Sequence, residues 1–139
     1  MTTRNPRWIV LKFGGTSVSN RTNWNNIAAV ARKRGADGAN ILIVHSAVSG
    51  ITDRLEKLLV ASLAGEHEEV LQAIIARHQQ LCDELGIGIS PQLDGYFTEL
   101  RAITQGIHLT QELSERTRAM VLSNGELMST EIEIGRAHV

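Results

Sequence analysis

Lys12-Phe13-Gly14-Gly15-Thr16-Ser17-Val18 places a lysine, two glycines and two hydroxyls in one short stretch. Glycines let a backbone come close to an anion, and a helix N-terminus offers unpaired N–H groups. Lys12 adds a compact positive charge. Together these are the parts of a phosphate-holding loop. A second stretch, His45-Ser46-Ala47-Val48-Ser49-Gly50-Ile51-Thr52-Asp53, is a small-residue loop whose hydroxyls and backbone can bind a small polar ligand. A third, Ser123-Asn124-Gly125-Glu126-Leu127-Met128-Ser129-Thr130, carries a carboxylate beside a glycine. Each has a plainer alternative: an exposed strand-end lysine with a tight glycine turn, a Ser/Gly turn leading to a helix cap, and a glutamate favoured by a helix dipole. No GxxxxGK[ST] stretch occurs, so the first loop is not of the Walker type.

The elements around these stretches explain their placement. Trp8-Ile9-Val10-Leu11 opens a strand over 8–13, short and apolar enough to be buried on both faces. Residues 17–34 read as a helix with Trp24, Ile27, Ala28, Val30 and Ala31 along one side, and Thr16 or Ser17 available to cap it. Gly35 and Gly38 mark the loop that follows. Ile41-Leu42-Ile43-Val44 reads as a second buried strand. A strand, a helix and a strand at this spacing make a βαβ unit, hence a parallel sheet covered by helices. Ser46–Thr52 then lies at the carboxyl end of the second strand, where open α/β sheets bind ligands. A helix beginning at Thr52 or Asp53 follows, then one over 66–85 ended by Gly86 and Gly88. Pro91 opens the next, and a further helix over about 110–123 leads into Gly125, with Glu126 at the start of another.

Bulk properties narrow the classes. A chain of 139 residues supports one domain burying roughly two-thirds of its unfolded surface. A net charge of -1 offers nothing to nucleic acid or a membrane surface, so neither is expected as a partner. No apolar run reaches the roughly 18 residues of a membrane span, and the opening residues lack the apolar core of a signal peptide, so the expectation is a cytoplasmic protein. The single cysteine, Cys82, falls on a helical apolar stripe and reads as a buried structural thiol. His67, His78 and His108 lack metal-ligand spacing, so no protein-bound metal is expected.

The three stretches, in this order, resemble the signature segments of the aspartate kinases within the amino-acid kinase superfamily. The resemblance implies an α/β fold: an αβα sandwich of the amino-acid kinase (carbamate kinase-like) type, incomplete here because later strands are missing. It implies that Lys12, Gly14, Gly15, Thr16 and Ser17 hold the phosphates of ATP. Lys12 is also the catalytic residue, stabilising charge on the transferring phosphoryl group. Ser46 and Thr52 inherit places in the L-aspartate pocket, and Glu126 inherits the contact to the substrate amino group. Ser129 and Thr130 are left as packing or supporting residues. The implied reaction transfers the γ-phosphate of ATP, with Mg²⁺, to the side-chain carboxylate of L-aspartate. The product is 4-phospho-L-aspartate, on the route to lysine, threonine and methionine. The full-length protein is expected to form a homo-oligomer.

Arg7–Lys12 together with Trp24 most resembles the kinase half of bifunctional aspartate kinase/diaminopimelate decarboxylase proteins. His45 departs from the usual apolar residue and is assigned no catalytic role. After Thr130 the family continues into an apolar helix, whereas Glu133 to Val139 reads as translated sequencing adapter. The expected organisation is therefore 1–132 as the N-terminal part of a catalytic domain and 133–139 as a non-native tail. Two rivals stand beside this reading. One is a superfamily member acting on a glutamate derivative, carbamate or a nucleoside monophosphate, against which Thr16-Ser17-Val18 and Gly125-Glu126 argue. The other is a partial domain without activity, exposing an edge and an apolar face of its sheet.

Overall fold

The computed structural model describes residues 7–137. The two apolar runs form β1 (Trp8–Phe13) and β2 (Asn40–His45), paired in parallel with Trp8 opposite Asn40 and Phe13 opposite His45. Parallel strands need a crossover, and α1 (Arg21–Ala36) supplies it. The expected βαβ unit is present, but its helix starts later than the spacing predicts. Gly15–Val18 forms a four-residue 3-10 turn instead. Asn20, in extended backbone, is the cap: its Oδ1 accepts the N–H of Asn23 at 2.9 Å. Thr16 and Ser17 lie inside the turn and do not cap α1. The helix also runs through Gly35.

Four helices follow: α2 (Ile51–Ala64), α3 (His67–Leu85), α4 (Pro91–Thr110) and α5 (Glu115–Ala137). Neither Thr52 nor Asp53 caps α2. The N-cap is Gly50, whose φ of 79° lies in the left-handed region that glycine enters without a Cβ penalty. Gly86 at φ 70° ends α3 in the same way. Ser90 caps α4, its Oγ accepting the Leu93 N–H at 3.0 Å, with Pro91 in the first turn. The last helix departs most from expectation. It passes straight through Gly125, so Glu126 sits in mid-helix, beyond the reach of the N-terminal dipole.

The core sits between these helices. Leu55, Leu58 and Leu59 place α2 at its centre, packed against α3, α4 and α5. The inner face of the sheet joins it through Phe13 and Ile43, against Trp24 and Ile27 of α1. The outer face is bare: Trp8 is 65% exposed, Val10 61%, Leu42 49% and Val44 43%. The strands are therefore covered on one face only, contrary to the expectation of burial on both. The single crossover puts α1 on the inner side, and α5 meets β2 on that side too. Among the described residues no helix is long and apolar enough to cross a membrane.

Two core groups have titration behaviour set by burial. Burial pushes the Cys82 thiol up to about 11, with Asp83 adding to the shift, as suits an inert structural thiol. Burial also lowers His78 to about 4, helped by Arg77 and Arg54 against the opposing bond to the Ile74 carbonyl. His78 Nδ1 lies 2.8 Å from that carbonyl, while Nε2 is buried without a partner. Its folded value lies below the unfolded value of 6.5, so the unfolded chain binds the extra proton between them. The stability from keeping His78 neutral is whole above pH 6.5 and is lost as pH falls towards 4, up to about 3 kcal/mol. Urea midpoints measured from pH 7 down to pH 4 should fall accordingly, and His78→Leu should remove most of that fall. An unchanged pH slope in the variant would refute the assignment.

Candidate functional site

The three stretches meet at Ala47. A Cβ placed on Gly15 would lie 2.8 Å from the Ala47 carbonyl oxygen and 3.5 Å from the Ser49 nitrogen. A Cβ on Gly125 would lie 2.9 Å from the Ala47 methyl and 3.2 Å from Leu55 Cδ1. Both glycines therefore permit close approach: one lets the first loop touch the second, the other lets α5 settle onto the second loop and α2. Glycine at 125 does not break its helix; its missing side chain is space that Ala47 fills.

The first loop is held by its carbonyls. The Gly14 carbonyl accepts the Ser17 N–H at 3.0 Å. The Thr16 carbonyl accepts from the Asn23 side chain at 2.8 Å, and the Val18 carbonyl from Trp24 Nε1 at 2.8 Å. The Gly15 carbonyl accepts from the Ser19 hydroxyl. In a trans peptide the N–H points opposite to the preceding carbonyl. Engaging the Gly14 and Gly15 carbonyls thus turns the N–H groups of Gly15 and Thr16 the other way. A Cβ on Gly14 would meet nothing within 4 Å, so the backbone there is open to a ligand. These features fit a phosphate group.

Lys12 is exposed and stands on the outer face of β1, opposite Val44. Ser46 directly follows β2, and its N–H donates to the Phe13 carbonyl at 3.1 Å, so it shares the carboxyl end of the sheet with Lys12 and Gly14. Thr52 is exposed in the first turn of α2, and Glu126 is exposed on α5 beside the Gly125–Ala47 contact. No hydrogen bond or ion pair among the described residues joins Lys12, Ser46, Thr52 and Glu126 to one another. Their backbones converge while their side chains stay apart. A small cavity of 160 Å³ lies next to the loop, lined by Thr16 and Ser17 with Phe13 and Asn23. A larger one of 540 Å³ lies elsewhere, between α1, Ile43 and the end of α5, and has none of the site residues in its wall.

His45 is a packing residue, as its position at a strand end suggests. Ser129 Oγ lies 3.0 Å from its Nδ1, and the Trp24 ring meets it edge-on at 5.8 Å. Burial disfavours its charge, but the hydrogen bond and attraction from Glu133, with the Ser46 carbonyl, outweigh burial and raise its pKa. Glu133 opens the stretch expected to be non-native. Ser129 thus supports the end of β2, and Thr130 Oγ1 donates to the Glu126 carbonyl within the helix. Ser19, Ser49 and Ala47 are not legible in the sequence as contacts between segments, because small residues in loops carry no periodic signal. Among the described residues no group of three or more His, Cys, Asp or Glu is placed to hold a metal ion.

Comparison with known proteins gives a consistent answer. The model of the amino acid kinase family matches residues 7–134. The aspartokinase of Chlamydia muridarum is 30% identical over 89% of this chain and 26% of its own length. Aspartokinase 1, chloroplastic, of Arabidopsis thaliana is 33% identical over 88% of this chain and 22% of its own. The structure resembles E. coli aspartokinase III in complex with aspartate and ADP, with a TM-score of 0.78 and 27% identity over 95% of this chain. That match covers 29% of the aspartokinase III chain, so the segment spans about a quarter of the relatives it matches. The α/β fold expected from the resemblance, with a small sheet and helices forming part of a domain, agrees with this structure.

Proposed function

From the premise that the chain belongs to the amino acid kinase family, we propose that it forms the phosphate side and part of the substrate side of an aspartate kinase site. The observation that carries this is the meeting of Gly15, Ala47 and Gly125, which draws three separated stretches to one end of the sheet. In this reading Gly14, Gly15, Thr16 and Ser17 receive the ATP phosphates through backbone N–H groups. Lys12 neutralises charge as the γ-phosphoryl group moves. Ser46, Thr52 and Glu126 orient L-aspartate, Glu126 through its amino group. The aspartate carboxylate attacks phosphorus directly, the bond to the ADP oxygen breaks, and 4-phospho-L-aspartate leaves. The attacking carboxylate is already nucleophilic, so catalysis rests on positioning and charge neutralisation rather than on a general base. Mg²⁺ bound to the nucleotide would supply further charge neutralisation at the phosphates. The relatives are aspartokinases, and the structure of E. coli aspartokinase III is a complex with aspartate and ADP, which supports the nucleotide and the substrate class.

The test is a substrate panel. A reading frame that continues this segment through the rest of the domain should phosphorylate aspartate with ATP and Mg²⁺, trapped as the hydroxamate. Phosphorylation of glutamate but not aspartate would overturn the choice of substrate. The 139-residue chain by itself should give no turnover, because among the described residues its sheet has two strands and Lys12 stands on the bare face. Measurable turnover by that chain alone would refute this part.

A further inference from the structure

Ser19 joins the two loops through one hydroxyl. Its Oγ donates to the Gly15 carbonyl at 2.5 Å and accepts the Ser49 N–H at 3.0 Å. The Ser19 carbonyl accepts from Arg77 Nη2 at 2.6 Å, although Arg77 lies 58 residues further along, on α3. The other terminal nitrogen, Nη1, is buried without a partner. A buried guanidinium donor left unpaired is costly, so the placement is not explained by stability alone. Charge-assisted hydrogen bonds are the stronger kind, and this one reaches the residue that links both loops. α3 is itself tied to α2, where Arg54 Nη1 donates to the Ala73 carbonyl at 3.2 Å.

We infer that Arg77, acting through Ser19, is a positioning residue that fixes the spacing between the Gly14–Val18 loop and the Ser46–Gly50 loop. This rests on the phosphoryl-transfer reading, in which one loop holds nucleotide and the other holds substrate. Such a reaction is sensitive to spacing, since a misplacement of about 1 Å can cost about 100-fold in rate. Arg77 touches neither ligand in this scheme; α3 sets the geometry from behind.

Amide hydrogen exchange read by NMR on this chain tests the device directly. Ser19→Ala removes both hydroxyl bonds and should speed exchange at the Ser49 N–H by about fivefold, the worth of one hydrogen bond. Arg77→Met should speed it severalfold, and Arg77→Lys, which keeps a charged donor, should restore most of the protection. Amides in the middle of α4 should be unchanged and serve as the reference. A second readout is ADP titration, in which Ser19→Ala and Arg77→Met should weaken binding by similar factors and Ser19→Thr should not. Unchanged Ser49 protection in folded Ser19→Ala and Arg77→Met overturns the inference. If Arg77→Met does not fold, Ser19→Ala and Arg77→Lys decide by the same criterion. Failure of the unsubstituted chain to bind ADP would count against the phosphate reading, while the exchange data would still judge the link between the loops.

Discussion

Lys12→Met in the longer enzyme should lower kcat by about 100- to 1,000-fold, the range for removing one pre-placed electrostatic group from a transition state. The argument starts from position. Lys12 lies in the parallel ladder opposite Val44 and two residues before Gly14, so the strand fixes its Cα relative to the glycine loop. Its side chain is exposed, and nothing in the fold uses its charge: no ion pair among the described residues includes it. Removing an exposed lysine of this kind should move stability by no more than about 0.5 kcal/mol. A large kinetic effect with a small stability effect would locate the role in phosphoryl transfer. Steady-state kinetics divide the possibilities further. A fall in kcat with a small change in KM for ATP indicates charge stabilisation in the transition state, while a rise in KM alone indicates simple ground-state binding. Lys12→Arg should rescue poorly, because a planar fork does not replace a compact ammonium group. A loss of turnover below tenfold would remove Lys12 from the catalytic scheme.

Trp24→Ala should be the most damaging single change to folding. Trp24 is 1% exposed, contacts the His45 ring edge-on and donates from Nε1 to the Val18 carbonyl. Truncation of a buried tryptophan costs about 3–5 kcal/mol, against a total stability of about 5–15 kcal/mol for a domain. The Val18 carbonyl also loses its buried donor, and that bond is one of those holding the 3-10 turn. The effect therefore extends from the core to the phosphate loop. Trp24→Phe, which keeps much of the ring but loses the N–H, should cost about 1–3 kcal/mol, the penalty for leaving the acceptor unmet. Urea unfolding at constant m would measure both. A cost under about 1 kcal/mol for Trp24→Ala would show that the neighbouring 540 Å³ cavity, which Trp24 lines, lets the site collapse.

The sequence made the order of elements readable for physical reasons. Apolar runs mark the strands, Gly86 marks the end of α3, and Pro91 marks the start of α4. The errors came from residues with more than one use. Thr16 and Ser17 are good caps, but Asn20 is better placed in extended backbone, so the helix begins after it. Glycine weakens helices, so Gly125 reads as punctuation, whereas in the fold it makes room for Ala47. Burial of the strands on both faces could not be inferred from their composition, since it depends on what packs against them. At the site, the types of residue were legible and the contacts were not. Lys12, Ser46, Thr52 and Glu126 stand out as chemistry, but in sequence Arg77 is indistinguishable from any charged residue on a helix, and only its bond to Ser19 sets it apart.

The contacts at Ala47 have a genetic consequence. Position 47 faces a glycine on two sides, through its carbonyl and through its methyl, so the three positions share a single allowance of space. A larger residue at 47 displaces α5, and a side chain at 15 or 125 displaces the loop. Substitutions at 15, 47 and 125 are thus not independent events. Across diverged copies of this gene, the three codons are constrained to vary jointly or to stay fixed, although they lie far apart in the reading frame.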